Sequence, residues 1–117
     1  MARLTTHVLD TSRGTAARGV TIELHVVADG VRRLVGTAVT DADGRTAAPL
    51  LSGDRIDPGI YELTFRVAEY FRREGVALPD PPFLGDVVVR VGLADAGAHY
   101  HVPLLLSPYG YSTYRGS

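Results

Sequence analysis

Alternation with a period of two residues constrains this chain more than any other feature. Val20, Ile22, Leu24 and Val26 interleave with Thr21, Glu23, His25 and Val27. Tyr61, Leu63, Phe65 and Val67 interleave with Glu62, Thr64 and Arg66, and Val87, Val89 and Val91 with Val88 and Arg90. Successive side chains leave a strand on opposite faces, so each run reads as a strand with one face in a core. Leu4–Asp10, Leu34–Thr40, Thr46–Leu51, His99–Leu106 and Gly110–Arg115 fit further strands. Turn clusters separate them, among them Thr11–Thr15, Asp41–Gly44, Asp57-Pro58-Gly59, Pro79–Pro82 and Ser107–Gly110. Gly and Pro supply the backbone angles that such turns need. One segment breaks the rhythm: Ala68–Arg73, followed by Gly75, reads as a short helix closed by a glycine. About eight short strands and one short helix imply an all-β fold, a two-sheet β-sandwich. No linker divides the chain, so 1–117 reads as a single domain.

Composition removes whole classes of function. There is no Cys, which excludes a disulfide scaffold, a thiolate zinc site and a cysteine nucleophile. All 12 basic residues are Arg, and 13 acids balance them to a net charge of −1. That balance offers no electrostatic footprint for nucleic acid or an anionic membrane. No run approaches the ~20 apolar residues of a membrane span. The opening Met1–His7 lacks the apolar stretch of a secretion signal. The expectation is a cytoplasmic protein with neither a nucleic acid nor a membrane as partner.

The two ends carry the unusual residues. Terminal tails are commonly small, polar and frayed, yet Tyr109–Ser117 holds three of the six Tyr. Such a tail is expected to dock, either as a last strand or in a cleft or subunit interface where Tyr and Arg are favoured. Strand geometry puts His99, His101, Pro103 and Leu105 on one face and Tyr100, Val102, Leu104 and Leu106 on the other. The first face holds two imidazoles and a proline with no ladder donor. His7 shares its face with Thr5 and Leu9, opposite Leu4, Thr6 and Val8. His25 reads as a surface residue. Arg45 follows the Asp43-Gly44 turn, a common place for an exposed hairpin arginine.

Three segments together resemble the 5-hydroxyisourate hydrolase family, the transthyretin-like or transthyretin-related proteins. They are Leu4-Thr5-Thr6-His7-Val8-Leu9-Asp10, Asp43-Gly44-Arg45, and His101 to Ser117 with its Tyr114-Arg115-Gly116-Ser117 ending. That ending resembles the feature separating the hydrolases from transthyretin, the hormone carrier of the same fold. The resemblance spans essentially the whole chain. It implies a transthyretin-like sandwich, a homotetramer built as a dimer of dimers, and active sites in a channel between dimers. It implies hydrolysis of 5-hydroxyisourate, the product of urate oxidation, to 2-oxo-4-hydroxy-4-carboxy-5-ureidoimidazoline in purine catabolism. By position it implies functional roles for His7, Arg45, His101, Tyr114 and Ser117.

The chemistry of such a reaction suits those residue types. Water attacks an acyl carbon of a small planar ring, and a ring C–N bond breaks. A zinc-hydroxide route needs about three protein ligands. His7, His99 and His101 offer nitrogens, but no acidic partner stands at ligand spacing, so no metal and no cofactor are expected. Histidine titrates near neutral pH and serves direct general-base hydrolysis. His7 and His101 are expected to converge on water and substrate, one deprotonating the water and the other orienting it or protonating the leaving nitrogen. Arg45 presents a planar fork of donors for carbonyl oxygens and developing negative charge. Tyr114 is expected to wall the pocket or bond the ring. Ser117 offers a hydroxyl and the terminal carboxylate. The competing readings are a non-catalytic tetrameric carrier of a small aromatic ligand and a sandwich interaction module, because the fold alone does not fix function.

Overall fold

The alternating runs fold into two sheets in the computed structural model, which describes residues 1–117. The strands are β1 (Ala2–Asp10), β2 (Thr15–Ala16), β3 (Thr21–Ala28), β4 (Val31–Val39), β5 (Leu51–Gly53), β6 (Gly59–Phe65), β7 (Val87–Leu93), β8 (His99–Ser107) and β9 (Gly110–Thr113). The helix α1 spans Val67–Arg73. One sheet runs β2-β1-β8-β9, with β5 also paired to β1; the other runs β4-β3-β6-β7. The apolar residues of the alternation meet between them. Leu4, Val8, Ile22, Leu24, Leu63, Phe65, Val87, Val89, Leu104 and Leu106 belong to one continuous core. The helix buries Val67, Ala68, Tyr70 and Phe71 against it.

Three points differ from the sequence reading. There are nine strand segments rather than about eight, because the two-residue β2 pairs with the end of β1. The helix begins one residue earlier, at Val67, which the alternation had assigned to a strand. The strand expected at Thr46–Leu51 is absent as such; only Leu51–Gly53 pairs with β1. Its backbone is held at both ends instead. Val8 N–H donates to the Gly44 carbonyl (2.8 Å), and Leu50 N–H donates to the Leu4 carbonyl (2.8 Å). Between those anchors residues 45–49 arch away from β1. A pattern of apolar residues reports burial, but a continuous ladder also needs backbone donors facing a free edge along its whole length.

One pairing is set by neither turn nor hairpin. β1 and β8 lie side by side and parallel, with Thr5 opposite His101 and His7 opposite Pro103. Parallel neighbours cannot be joined by a tight turn, and here nearly the whole chain intervenes. This pairing unites the two ends of the sequence. Since both strands are amphipathic, burying their apolar faces leaves Thr5, His7, His99 and His101 together on the outer face.

Candidate active site

A cavity of about 360 Å³ lies on that outer face. Its floor is Thr5, His99 and His101; its walls are Arg3, the arch Arg45–Pro49 and the terminal Ser117. Each group has a local cause. His101 is half-buried on β8, and His99, two residues earlier, is exposed on the same face. Arg45 leaves the turn immediately after Gly44, whose φ is +75°. A Cβ at residue 44 would collide with the Val8 carbonyl oxygen and press on the His7 ring. Only glycine lets the chain pass this close to β1 in that conformation.

The tail docks through its backbone rather than through its aromatic rings, since Tyr109, Tyr111 and Tyr114 all stay exposed in the single chain. Proline at 103 has no N–H to offer, and the β8–β9 ladder lapses beyond Leu104–Thr113. Pairing resumes in the same register at Gly116, opposite His101. Gly116 N–H donates to the His101 carbonyl at 2.8 Å. A Cβ at residue 116 would lie 2.6 Å from His101 Cδ2, so the missing side chain is what seats the imidazole. Arg115 places its guanidinium 4.3 Å from the Tyr100 ring centroid, a cation–π contact. Ser117 thereby reaches the cavity.

Two expected residues lie elsewhere within a single chain. His7 is half-buried beside the cavity, against Gly44, and is not part of its lining. Its charge still reaches His101. Tyr114 points away, into a separate groove of about 250 Å³ shared with Val91, Leu93 and Tyr100 at the open side of the sandwich. Thr5 and Arg3 join the lining without having been singled out by sequence. The only available signal for Thr5 was its position two residues before His7, on the same strand face.

Among the four histidines, His101 has its protonation equilibrium clearly displaced. His101 is held below the ordinary histidine value of 6.5 by burial first, then by the Arg45 guanidinium and by the neighbouring His7 and His99. All act in one direction, since each disfavours the imidazolium. His101 is therefore neutral at pH 7, with the Arg45 guanidinium nearby. Within one chain, no group of three His, Cys, Asp or Glu side chains is placed to hold a metal ion.

A two-sheet sandwich with a His- and Arg-lined cavity on one outer face defines a transthyretin-like protein. The sequence model of the HIUase/Transthyretin family matches residues 4–116, and the chain belongs to that family. The 5-hydroxyisourate hydrolase of Ralstonia nicotianae is 56% identical over 117 residues, covering 100% of each chain. Among solved structures, the 5-hydroxyisourate hydrolase of Klebsiella pneumoniae superposes with a TM-score of 0.83 at 34% identity, covering 100% of both chains. Sea bream transthyretin in complex with thyroxine gives a TM-score of 0.83 at 30% identity, covering 97% of this chain and 94% of that one.

Proposed function

We propose that this chain hydrolyses 5-hydroxyisourate to 2-oxo-4-hydroxy-4-carboxy-5-ureidoimidazoline in urate degradation, with residues 1–117 acting as one hydrolase domain. The observation that carries the reading is the cavity itself. A neutral imidazole, a guanidinium and a chain-terminal serine from three remote segments line one small polar space. Full-length relatives that bear the hydrolase name support the same class of reaction. His101 removes a proton from water as the oxygen attacks the acyl carbon. Arg45 stabilises the oxyanion that forms there. The ring C–N bond then breaks, and the leaving nitrogen takes a proton from His7 or from the newly formed His101 imidazolium. The Ser117 hydroxyl and carboxylate orient the water. No cofactor enters this scheme.

The assembly is part of the proposal. β7 and β9 are edge strands of the two sheets, and both border the groove that holds Tyr114. Exposed edges invite pairing with a second copy. A homotetramer, a dimer of dimers, covers these edges and presents the His- and Arg-bearing faces to one another. Within it Tyr114 belongs to a subunit contact and supports the substrate site from there. The cellular setting is cytoplasmic; no helix is long and apolar enough to cross a membrane.

The test is spectroscopic. Urate oxidase generates 5-hydroxyisourate from urate, and its ultraviolet decay is followed with and without the protein. Accelerated decay is expected. Saturable binding of a small aromatic ligand with decay at the spontaneous rate would favour the carrier reading instead, although a lining of Arg3, Arg45, His99 and His101 is poorly matched to an apolar ligand.

A further inference from the structure

One hydroxyl sits between two imidazoles in this cavity. Thr5 Oγ1 lies 2.8 Å from His101 Nδ1 and 2.9 Å from His99 Nε2. The parallel pairing of β1 with β8 sets Arg3 opposite His99 and Thr5 opposite His101. The two rings stand 6.4 Å apart, and the threonine fills the interval.

A threonine hydroxyl carries one proton. It donates to one ring and must accept from the other, so the three groups form a directed chain with two possible senses. In the first, His101 carries its proton on Nδ1 and donates it to Thr5, which donates to Nε2 of a neutral His99. His101 Nε2 is then a lone pair, and no group of the chain hydrogen-bonds to it. In the second, Thr5 donates to His101 Nδ1, the His101 proton sits on Nε2, and His99 Nε2–H donates to Thr5. Only the first sense leaves a base at Nε2. Which nitrogen of a histidine is protonated is set by the bond that the other nitrogen makes.

We propose that Thr5 and His99 are positioning residues that fix the tautomer of His101, keeping its Nε2 lone pair free for the attacking water. The proposal rests on the hydrolase reading and extends it to two residues that need not touch the substrate. Exposed His99 is the solvent end of the chain. Once protonated, its Nε2 has no lone pair to accept the Thr5 proton, and the chain must adopt the second sense. Solvent acidity thus reaches the base indirectly. The charges facing this chain are Arg3 on β1, Arg115 in the tail, Arg45 and the Ser117 carboxylate around the cavity, and His7 beside it.

The experiment uses the full-length chain with Thr5→Val, Thr5→Ser and His99→Phe. Valine keeps the shape and favours a strand, so the fold is retained, as circular dichroism checks. Nitrogen-15 shifts of the imidazole rings report each tautomer directly and need no substrate. Wild-type His101 is expected to carry its proton on Nδ1 near pH 7, and Thr5→Val and His99→Phe to move it towards Nε2. In turnover, Thr5→Val is expected to lower kcat by about 10- to 100-fold, the scale set by loss of a histidine's orienting partner. KM should stay within about twofold, because the loss falls on the reacting state. Thr5→Ser should restore both tautomer and kcat. A wild-type His101 protonated on Nε2, or full turnover in Thr5→Val, overturns the proposal. A wild-type protein that leaves 5-hydroxyisourate decay unchanged overturns the hydrolase reading instead, while the nitrogen shifts still decide the tautomer.

Discussion

His101 shows how surroundings displace the protonation equilibrium of a single side chain. Its imidazolium is disfavoured first by burial and then by its neighbours Arg45, His7 and His99. We expect the acidic limb of kcat/KM to lie below 6.5, since a base with a lowered pKa stays unprotonated further into acid. Arg45→Gln removes the guanidinium charge and should shift the limb upward. The same variant should slow turnover by about 10²–10³-fold through loss of a donor to the oxyanion. Rates measured across pH for both proteins check the two effects separately. His101→Ala and His7→Ala should each lower kcat by roughly 10²–10⁴-fold with native circular dichroism. The sign for stability follows from the same shift. The unfolded chain binds the His101 proton more readily than the folded one, so this contribution is present above 6.5 and is lost as pH falls through the lower folded value. By type alone His7 and Arg45 read as ordinary strand and hairpin residues, and only the family resemblance marks them with His101. Arg45 and His101 line the cavity, His7 lies beside it, and Thr5, which nothing in the sequence marks, is on its floor.

Among the elements, the arch after Gly44 and the short helix do different work. The arch owes its course to a glycine at positive φ pressed against Val8. Gly44→Ala should therefore both destabilise the protein and displace Arg45. Urea unfolding and turnover should fall together in that variant, unlike Arg45→Gln, which should leave stability nearly unchanged. The helix supports β1 from within. Tyr70 donates its hydroxyl proton to Asp10 Oδ2 at 2.8 Å, while Asp10 Oδ1 accepts from Ser12 N–H at 3.0 Å. Burial, and then the Asp10 carboxylate, push the Tyr70 phenol up to about 12. Tyr70→Phe strips one donor from a fully buried carboxylate and should cost about 1–3 kcal/mol in chemical denaturation. Activity per folded molecule should persist, because Asp10 lies at the far end of β1 from Thr5. The helix was legible because its spacing leaves the two-residue rhythm and a glycine ends it. Thr46–Leu51 reads as a strand in sequence, yet only Leu51–Gly53 pairs, because apolar residues beside a strand look alike whether their backbone pairs continuously or only at its ends.

The whole molecule is two amphipathic sheets with two free edges, β7 and β9, on one side. If those edges pair between copies, sedimentation should give a tetramer. Thermal unfolding should then occur in one transition whose midpoint rises with protein concentration, by mass action. Deleting Tyr114–Ser117 should suppress turnover, since it removes the Gly116 bond that seats His101 and opens the cavity wall. The sequence by itself determined which residues face inward, because side-chain alternation is a property of each strand alone. It also determined the chemical repertoire: no thiol, four histidines, and a tail rich in Tyr. Only the tertiary structure decided that the first strand lies parallel to the eighth, that an arch replaces a strand, and that Tyr114 leaves the cavity while Thr5 enters it. Those outcomes depend on backbone donors and acceptors finding partners across nearly the full length of the chain, and no local run of residues encodes which distant edge will satisfy them.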